Sequence, residues 1–249
     1  MKLEEYLESL PQDIMSGQNV QLSDDALRDI FRFVELDKDD IFYHLGCGDG
    51  RGVSIAAEEF NAKKSIGIDT DEKKIATAKK KTSKNTEFIC KDVIDSEISE
   101  ATVILFWFTE DEIISKMMPK FKQLKKGCKI VTLWGPLPEC MPDKVRFPFI
   151  INQTPLKQAK DLKEQLLAVF GVKCVDFVTA WEHAERYTKA IELHNSQNNR
   201  FVTIIQSLVI WINAKNLGVA CGDEMPESIR TYIGILKNFF GIEVEHLLK

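Results

Sequence analysis

The segment FYHLGCGDGRG, residues 42–52, decides the fold of this 249-residue chain. The apolar residues that lead into it, DDIFYHL, predict a short buried strand, and the residues that follow, RGVSIAAEEFNA, predict a helix. A strand that runs into glycines and then into a helix is typical of the cofactor site of an open α/β sheet. The glycines let the backbone approach a ligand closely, and the amides of the helix N-terminus face it.

The spacing of the glycines narrows the kind of site. A dinucleotide fingerprint that starts at Gly46 needs a third glycine at the position of Arg51. A Walker phosphate loop ends in Gly-Lys-Ser or Gly-Lys-Thr, which this segment lacks. What remains is a Gly-x-Gly-x-Gly pattern, made of Gly46, Cys47, Gly48, Asp49 and Gly50.

Two further strand ends carry acids. Asp69 closes the strand KSIGID, 23 positions after Gly46, and Thr70 follows it. A carboxylate at the position of Asp69 accepts hydrogen bonds from the vicinal hydroxyls of a ribose. Asp92 and Val93 follow the third strand, where the carboxylate would accept from an adenine amino group and the Val93 amide would donate to the ring. Because the carboxyl ends of parallel strands meet at one edge, the pattern predicts one nucleoside site.

Apolar strands alternate with helices through residues 40–134, which predicts an α/β fold with a doubly wound, mostly parallel sheet. A proline-rich connection follows Trp134, and most later segments read as helices. We therefore expect a domain over residues 1–152 and a mostly helical C-terminal region over 153–249. The segments FPFII and VKCVDFV either read as strands that complete the sheet or belong to the C-terminal region.

Composition narrows the class of protein. A net charge of −5 argues against a general nucleic-acid binder, and no apolar run approaches the roughly 18 residues of a membrane span. The N-terminus lacks the apolar core of a signal peptide, so we expect a cytoplasmic protein. The six cysteines are expected to be buried free thiols, and the four histidines show no metal-ligand spacing, so no metal is predicted. His183 and His194 are expected on the surface.

The quoted segment resembles class I, seven-stranded, Rossmann-like S-adenosylmethionine-dependent methyltransferases. Within that class, YHLGCGDGRG and the later SEATVILFWFTEDEI look most like small archaeal protein-lysine methyltransferases. The resemblance covers roughly residues 10–135, and it implies S-adenosylmethionine as the cofactor. The whole chain looks like an archaeal protein, although its tail suggests no named function.

The resemblance also implies roles for individual residues. The glycine segment would approach the methionine part of the cofactor, Asp69 would bind the ribose, and Asp92 with Val93 would frame the adenine. Phe106 and Trp107 would lie near the sulfonium and the acceptor lysine, since an aromatic face suits a cation. Trp107, Phe108 and Glu110 are the catalytic candidates. The cofactor-binding candidates are His44, Gly46, Cys47, Gly48, Asp49, Gly50, Asp69, Thr70, Asp92, Val93 and Phe106.

His44 departs from the family pattern, in which an acid at this position helps to hold the cofactor's amino group. Three interpretations stay open: a retuned, pH-sensitive cofactor pocket, a strand-end histidine satisfied by the local backbone, and a domain that has lost catalysis. A neutral imidazole still accepts a hydrogen bond, whereas a protonated one does not.

Protein lysine is the leading acceptor. The site reads FWFT, without the Asn-Pro-Pro-aromatic motif of many DNA adenine and glutamine methyltransferases. Glu110 would orient the ammonium or take its proton, whereas Asp111 and Glu112 suit the first turn of the next helix. The lysine-rich segment 73–84 is interpreted as a solvated helix face, so nucleic acid is not the expected partner. The alternatives are a small-molecule methyltransferase and a non-catalytic interaction protein, and the C-terminal helices would cap the substrate side or mediate homodimerisation.

Overall fold

The computed structural model describes residues 1–3, 5, 22–81, 83–108, 110–190 and 196–248, without the side chains of 196–199. The chain divides into two compact units, one of Ser23–Ala159 and one of Met1–Leu22 together with Lys160–Lys249. Residues 10–21, which the family resemblance includes, and His194 lie outside the described residues. The predicted domain boundary after residue 152 stays a prediction.

The unit Ser23–Ala159 contains a seven-stranded sheet, which confirms the predicted fold class. Its strands run in the order β3-β2-β1-β4-β5-β7-β6. The first five strands in this order are parallel to one another, whereas β7 is antiparallel to both β5 and β6. The segment FPFII therefore belongs to the sheet. The strands are β1 (Ile41–Leu45), β2 (Lys64–Asp69), β3 (Thr86–Cys90), β4 (Val103–Phe106), β5 (Lys129–Leu133), β6 (Lys144–Arg146) and β7 (Phe149–Gln153).

Four helices precede or connect the parallel strands: α1 (Asp24–Val34), α2 (Arg51–Glu58), α3 (Glu72–Lys79) and α4 (Asp111–Lys122). The hydroxyl of Ser23 accepts a hydrogen bond from the Ala26 amide at 3.1 Å, so Ser23 is the N-cap of α1. Asp71 caps α3 in the same way, because its carboxylate accepts from the amides of the first turn.

The core of this unit holds the strand ends in place. Burying each large aliphatic or aromatic side chain of this hydrophobic core contributes roughly 1.5–3 kcal/mol to the stability of the fold. The core therefore makes the sheet a rigid platform for the loops at its edge. Its fully buried members include Leu45, Ile66, Ile68, Ile104, Met117, Phe121 and Ile130.

The second unit is mostly helical, with α5 (Leu162–Phe170), α6 (Phe177–Ala190), α7 (Ser196–Asn216) and α8 (Glu227–Phe240). Trp211 of α7 is fully buried. The Thr203 hydroxyl of α7 donates to the Thr188 hydroxyl of α6 at 3.1 Å. In the described part of the chain, no helix has both the length and the apolar character needed to cross a bilayer.

Three expectations from the sequence are wrong. The segment VKCVDFV is not a strand, because α6 begins at Phe177 and Val175 makes only an isolated bridge to Ala220. Cys174 and Cys221 form a disulfide, and Cys90 is exposed, so only Cys47, Cys128 and Cys140 are buried free thiols.

The third error concerns His183, which is only 7% exposed. Its ring packs edge-on against Phe170, with ring centroids 4.7 Å apart, on the inner side of α6. Burial, with a smaller contribution from Arg186, lowers the pKa of His183 to about 4.

Candidate active site

The glycine loop, residues 46–50, turns the chain from β1 into α2. Gly46, Gly48 and Gly50 have φ angles of 75°, 55° and 81°, a region that glycine adopts without steric cost. The amides of Gly46 and Cys47 both donate to the carbonyl of Ile68 on the neighbouring strand, at 2.8 and 3.0 Å. The backbone of the loop is therefore fixed against the end of β2.

Close packing beneath the loop explains two of its residues. A Cβ built on Gly50 would lie 2.6 Å from the Phe88 ring and 2.7 Å from Cβ of Ala78, so no larger residue fits there. The Cys47 side chain is buried, with Sγ 2.7 Å from the position that a Cβ of Gly67 would occupy. Burial raises the pKa of the Cys47 thiol, so Cys47 is a neutral packing residue and not a nucleophile.

Asp69 lies at the carboxyl end of β2 and contacts the loop directly. Its Oδ2 accepts a hydrogen bond from the Gly48 amide at 2.8 Å, and its Oδ1 accepts from the Asp71 amide at 2.9 Å. Each carboxylate oxygen has a second lone pair for a further donor. The exposed Thr70 follows, and its carbonyl accepts a weak hydrogen bond from Cys90 Sγ at 3.6 Å.

Asp49 is held by basic side chains of its own unit. Its Oδ1 accepts from the backbone amide and Nε of Arg51, at 3.2 and 3.3 Å, and its Oδ2 pairs with Nζ of Lys81 at 3.1 Å. Arg51 also pairs with Asp24 of α1 at 3.3 Å. These contacts brace the loop from outside, a role that the sequence pattern did not indicate.

Asp92 and Val93 lie just beyond β3. Asp92 is exposed and caps the short 3-10 turn Val93–Asp95, because its Oδ1 accepts from the Ile94 amide at 2.8 Å. The Val93 side chain is buried in the core, 3% exposed. Val93 thus anchors this turn, and Asp92 stands on its solvent side.

The aromatic run after β4 divides into a core part and a surface part. Phe106 is 2% exposed, and its ring packs between those of Phe108 and Phe121, with centroid distances of 4.9 and 5.0 Å. The tip of the Phe108 ring lies 3.1 Å from the position that a Cβ of Gly46 would occupy. Phe108 is therefore the ring of this run that approaches the glycine loop, and Trp107 is half-buried. The place of Phe106 near the sulfonium stays a prediction.

Acids gather where α4 begins. Glu110 is exposed and occupies the N-cap position, and Asp111 and Glu112 lie in the first turn, where the helix dipole favours negative charge. A hydrogen bond from Lys116, at 2.6 Å, holds the pKa of the Glu112 carboxyl below its usual range.

His44 lies within β1, paired in register with Gly67 and Leu105. A Cβ built on Gly52 would lie 2.7 Å from its Nδ1, and this nitrogen is buried without a hydrogen-bond partner among the described residues. Burial lowers the pKa of His44 to about 4, although Asp69 and Asp49 act in the opposite direction. The imidazole is therefore neutral at neutral pH. The sequence offered one hint of this contact, since a glycine inside a predicted helix marks a close approach.

Comparisons with known proteins agree with this geometry. The profile of the ANTKMT methyltransferase domain family matches residues 44–144. A protein-lysine N-methyltransferase from Saccharolobus islandicus is 33% identical over 113 residues, which are 43% of this chain and 70% of that protein. An uncharacterized protein from Methanocaldococcus jannaschii is 30% identical over 104 residues, 41% of this chain and 38% of that one.

One similar solved structure contains the demethylated product of S-adenosylmethionine. The RNA methyltransferase from Salinibacter ruber, in complex with S-adenosyl-L-homocysteine, is 27% identical, with a TM-score of 0.52 over 57% of this chain and 99% of that chain. The glycine loop and the Asp69 carboxylate beside it fit an adenosine cofactor with an amino-acid end. The chain therefore belongs to the S-adenosylmethionine-dependent methyltransferases of the ANTKMT methyltransferase domain family, and S-adenosylmethionine is its cofactor.

Proposed function

We propose that this methyltransferase transfers a methyl group to the side-chain amine of lysine in a protein. The observation that carries the proposal is the juxtaposition of Phe108 with Gly46, two residues before the exposed carboxylate of Glu110. An aromatic ring and a carboxylate are the two groups that best receive an ammonium with an apolar stem. The named activity of the Saccharolobus islandicus relative supports the same acceptor.

The cofactor supplies a methyl group that its sulfonium already activates. Asp69 would bind the ribose hydroxyls, Asp92 and the Val93 amide would frame the adenine, and the glycine loop would pass close to the amino-acid end. Methyl transfer is an in-line displacement, so these residues contribute mainly alignment and exclusion of water. The buried neutral Cys47 takes no part in the chemistry beyond packing.

The acceptor lysine must lose a proton before it reacts, because its ordinary pKa is about 10.4. Contact with Phe108 and Trp107 would remove water from the amine and so lower that pKa. One face of the Phe108 ring is stacked on Phe106, and the other face would receive the lysine stem or the sulfonium. Glu110 would orient the ammonium and receive its proton.

A labelled-methyl assay tests the acceptor class. The purified protein is incubated with radiolabelled S-adenosylmethionine and extract from its source organism, and the label is then challenged with protease and with ribonuclease. The proposal predicts protease-sensitive label that hydrolysis releases as methyl-lysine. Ribonuclease-sensitive label would contradict the proposal and place the chain with the RNA methyltransferase from Salinibacter ruber, whereas label on a small molecule would support the other enzyme alternative.

Two neighbouring acids provide a matched comparison. Glu110→Gln should lower kcat/KM for the protein acceptor at least about 10-fold, since it removes a group that receives the proton. Glu112→Gln should leave it unchanged, because that carboxylate pairs with Lys116 on the exposed side of α4. Equal effects of the two substitutions would refute the role of Glu110.

The C-terminal helices remain outside the family match, and we propose that they mediate homodimerisation. Ile235, Phe239 and Phe240 of α8 are exposed, with Phe239 at 81%. Light scattering should report a dimer that Phe239→Ser weakens. A monomer at micromolar concentration would contradict this proposal without affecting the assignment of the cofactor.

A further inference from the structure

The ring of His44 has one buried edge and one edge left for a ligand. Nδ1 and Cε1 face Gly52, and they lie 2.7 and 3.1 Å from the position that a Cβ of that glycine would occupy, with Leu27 Cδ2 next to the same position. The backbone of His44 is paired on both sides by β2 and β4, so the accessible part of this half-buried residue lies on its side chain. Because Nδ1 is buried, Nε2 is the nitrogen left to bind a ligand.

We propose that His44 is a neutral Nε2–H donor that binds the carboxylate, and not the amino group, of the cofactor's methionine end. The inference rests on the cofactor half of the proposed function and is independent of the methyl acceptor. In this role, His44 determines whether the site binds cofactors and products that lack the carboxylate or the amino group of the methionine end.

The contact with Gly52 decides which nitrogen carries the proton. The Gly52 Cα–H bond that a Cβ would replace is directed at Nδ1, and within the described residues neither an acceptor nor an N–H or O–H donor reaches that nitrogen. An N–H at Nδ1 would be a buried donor facing a C–H group, which costs the full desolvation of the donor. A lone pair at Nδ1 faces the C–H bond favourably, as in weak C–H hydrogen bonds. The proton therefore belongs on Nε2.

The same contact keeps the ring from taking a second proton. Gly52 lies in the first turn of α2, where the helix dipole is positive and opposes an imidazolium. Asp69 and Asp49 favour the charged ring, but its burial outweighs both carboxylates. A neutral ring with its acceptor lone pair sealed against Gly52 can only donate. Of the two polar groups at the methionine end, only the carboxylate accepts a hydrogen bond.

Analogue binding tests this directly. Calorimetry compares S-adenosylhomocysteine with its decarboxylated and its deaminated analogues. Wild-type protein should lose about 10-fold or more in affinity when the carboxylate is absent, and less than about 3-fold when the amino group is absent. His44→Asp should reverse this ranking, because an aspartate accepts from the ammonium and repels the carboxylate. His183→Gln, which changes the other buried histidine, should leave the ranking as in the wild type.

A second measurement on the wild type does not depend on any variant folding. The ¹⁵N chemical shifts of the His44 ring should report the neutral tautomer with its proton on Nε2 from pH 6 to 8. A proton on Nδ1, or equal binding of the decarboxylated analogue and S-adenosylhomocysteine, would overturn the inference while leaving lysine methylation intact. Failure of the wild type to bind S-adenosylhomocysteine would overturn it together with the cofactor site.

Discussion

Gly50→Ala is the substitution whose cost the structure specifies most closely. The residue has φ of 81°, which costs an alanine roughly 1–2 kcal/mol. The new methyl group would also lie 2.6 Å from the Phe88 ring and 2.7 Å from Ala78 Cβ, and overpacking of this kind costs about 1–3 kcal/mol. The expected loss in the free energy of unfolding is therefore about 2–5 kcal/mol.

Urea denaturation followed by circular dichroism measures this loss, and calorimetry with S-adenosylhomocysteine reports whether the loop still binds. Phe88→Leu in the Gly50→Ala background should recover part of the steric cost and none of the backbone cost. Gly234→Ala is the matched control. A Cβ at that position would meet nothing within 4 Å among the described residues. Gly234 also lies inside α8, where alanine is favoured over glycine. A loss below about 1 kcal/mol for Gly50→Ala would refute the packing described under the loop.

Three further outcomes follow from the same contacts. Because burial lowers the pKa of His44 and His183 to about 4, well below the value near 6.5 of an unfolded histidine, their contribution to stability is complete above pH 6.5 and is lost as pH falls toward 4. Urea titrations should show about 2 kcal/mol lost per histidine at pH 5, and His183→Gln should remove its share of this slope. Replacing Cys174 and Cys221 by serine should lower the free energy of unfolding by about 4 kcal/mol, because the bridge joins residues 47 positions apart. Thiol titration of the unfolded wild type should count four free thiols, whereas a count of six would disprove the bridge. Lys81→Met should change the affinity for S-adenosylhomocysteine less than about 3-fold, because the exposed ion pair between Lys81 and Asp49 is weak. A larger loss of affinity would show that this ion pair is part of the binding site.

The parallel strands were readable from the sequence because each is a short apolar run, and three of them end beside a glycine or an acid. Leu45 precedes the glycines, Asp69 closes β2, and Asp92 follows β3, so local patterns sufficed to place these residues at strand ends. The Ser23 cap of α1 was predictable for the same reason, since its evidence lies within four residues.

The remaining features depend on contacts between distant residues. The Cys174–Cys221 bridge joins loops 47 positions apart, and composition alone favoured free thiols. The burial of His183 depends on Phe170, a residue of another helix. Similarly, the sequence of the FWF run does not show which ring is buried, and only packing on Phe121 separates the buried Phe106 from Phe108 at the loop.

The most direct test of the central claim is calorimetric titration of wild type, Asp69→Asn and Asp71→Asn with S-adenosylhomocysteine. Both aspartates accept backbone hydrogen bonds near the loop, and the proposed site assigns the ribose hydroxyls to Asp69 alone. We predict micromolar binding to the wild type, a loss of at least about 10-fold for Asp69→Asn, and a change below about 3-fold for Asp71→Asn. Absence of binding to the wild type, or equal effects of the two substitutions, would contradict a cofactor site at the carboxyl ends of β1 and β2.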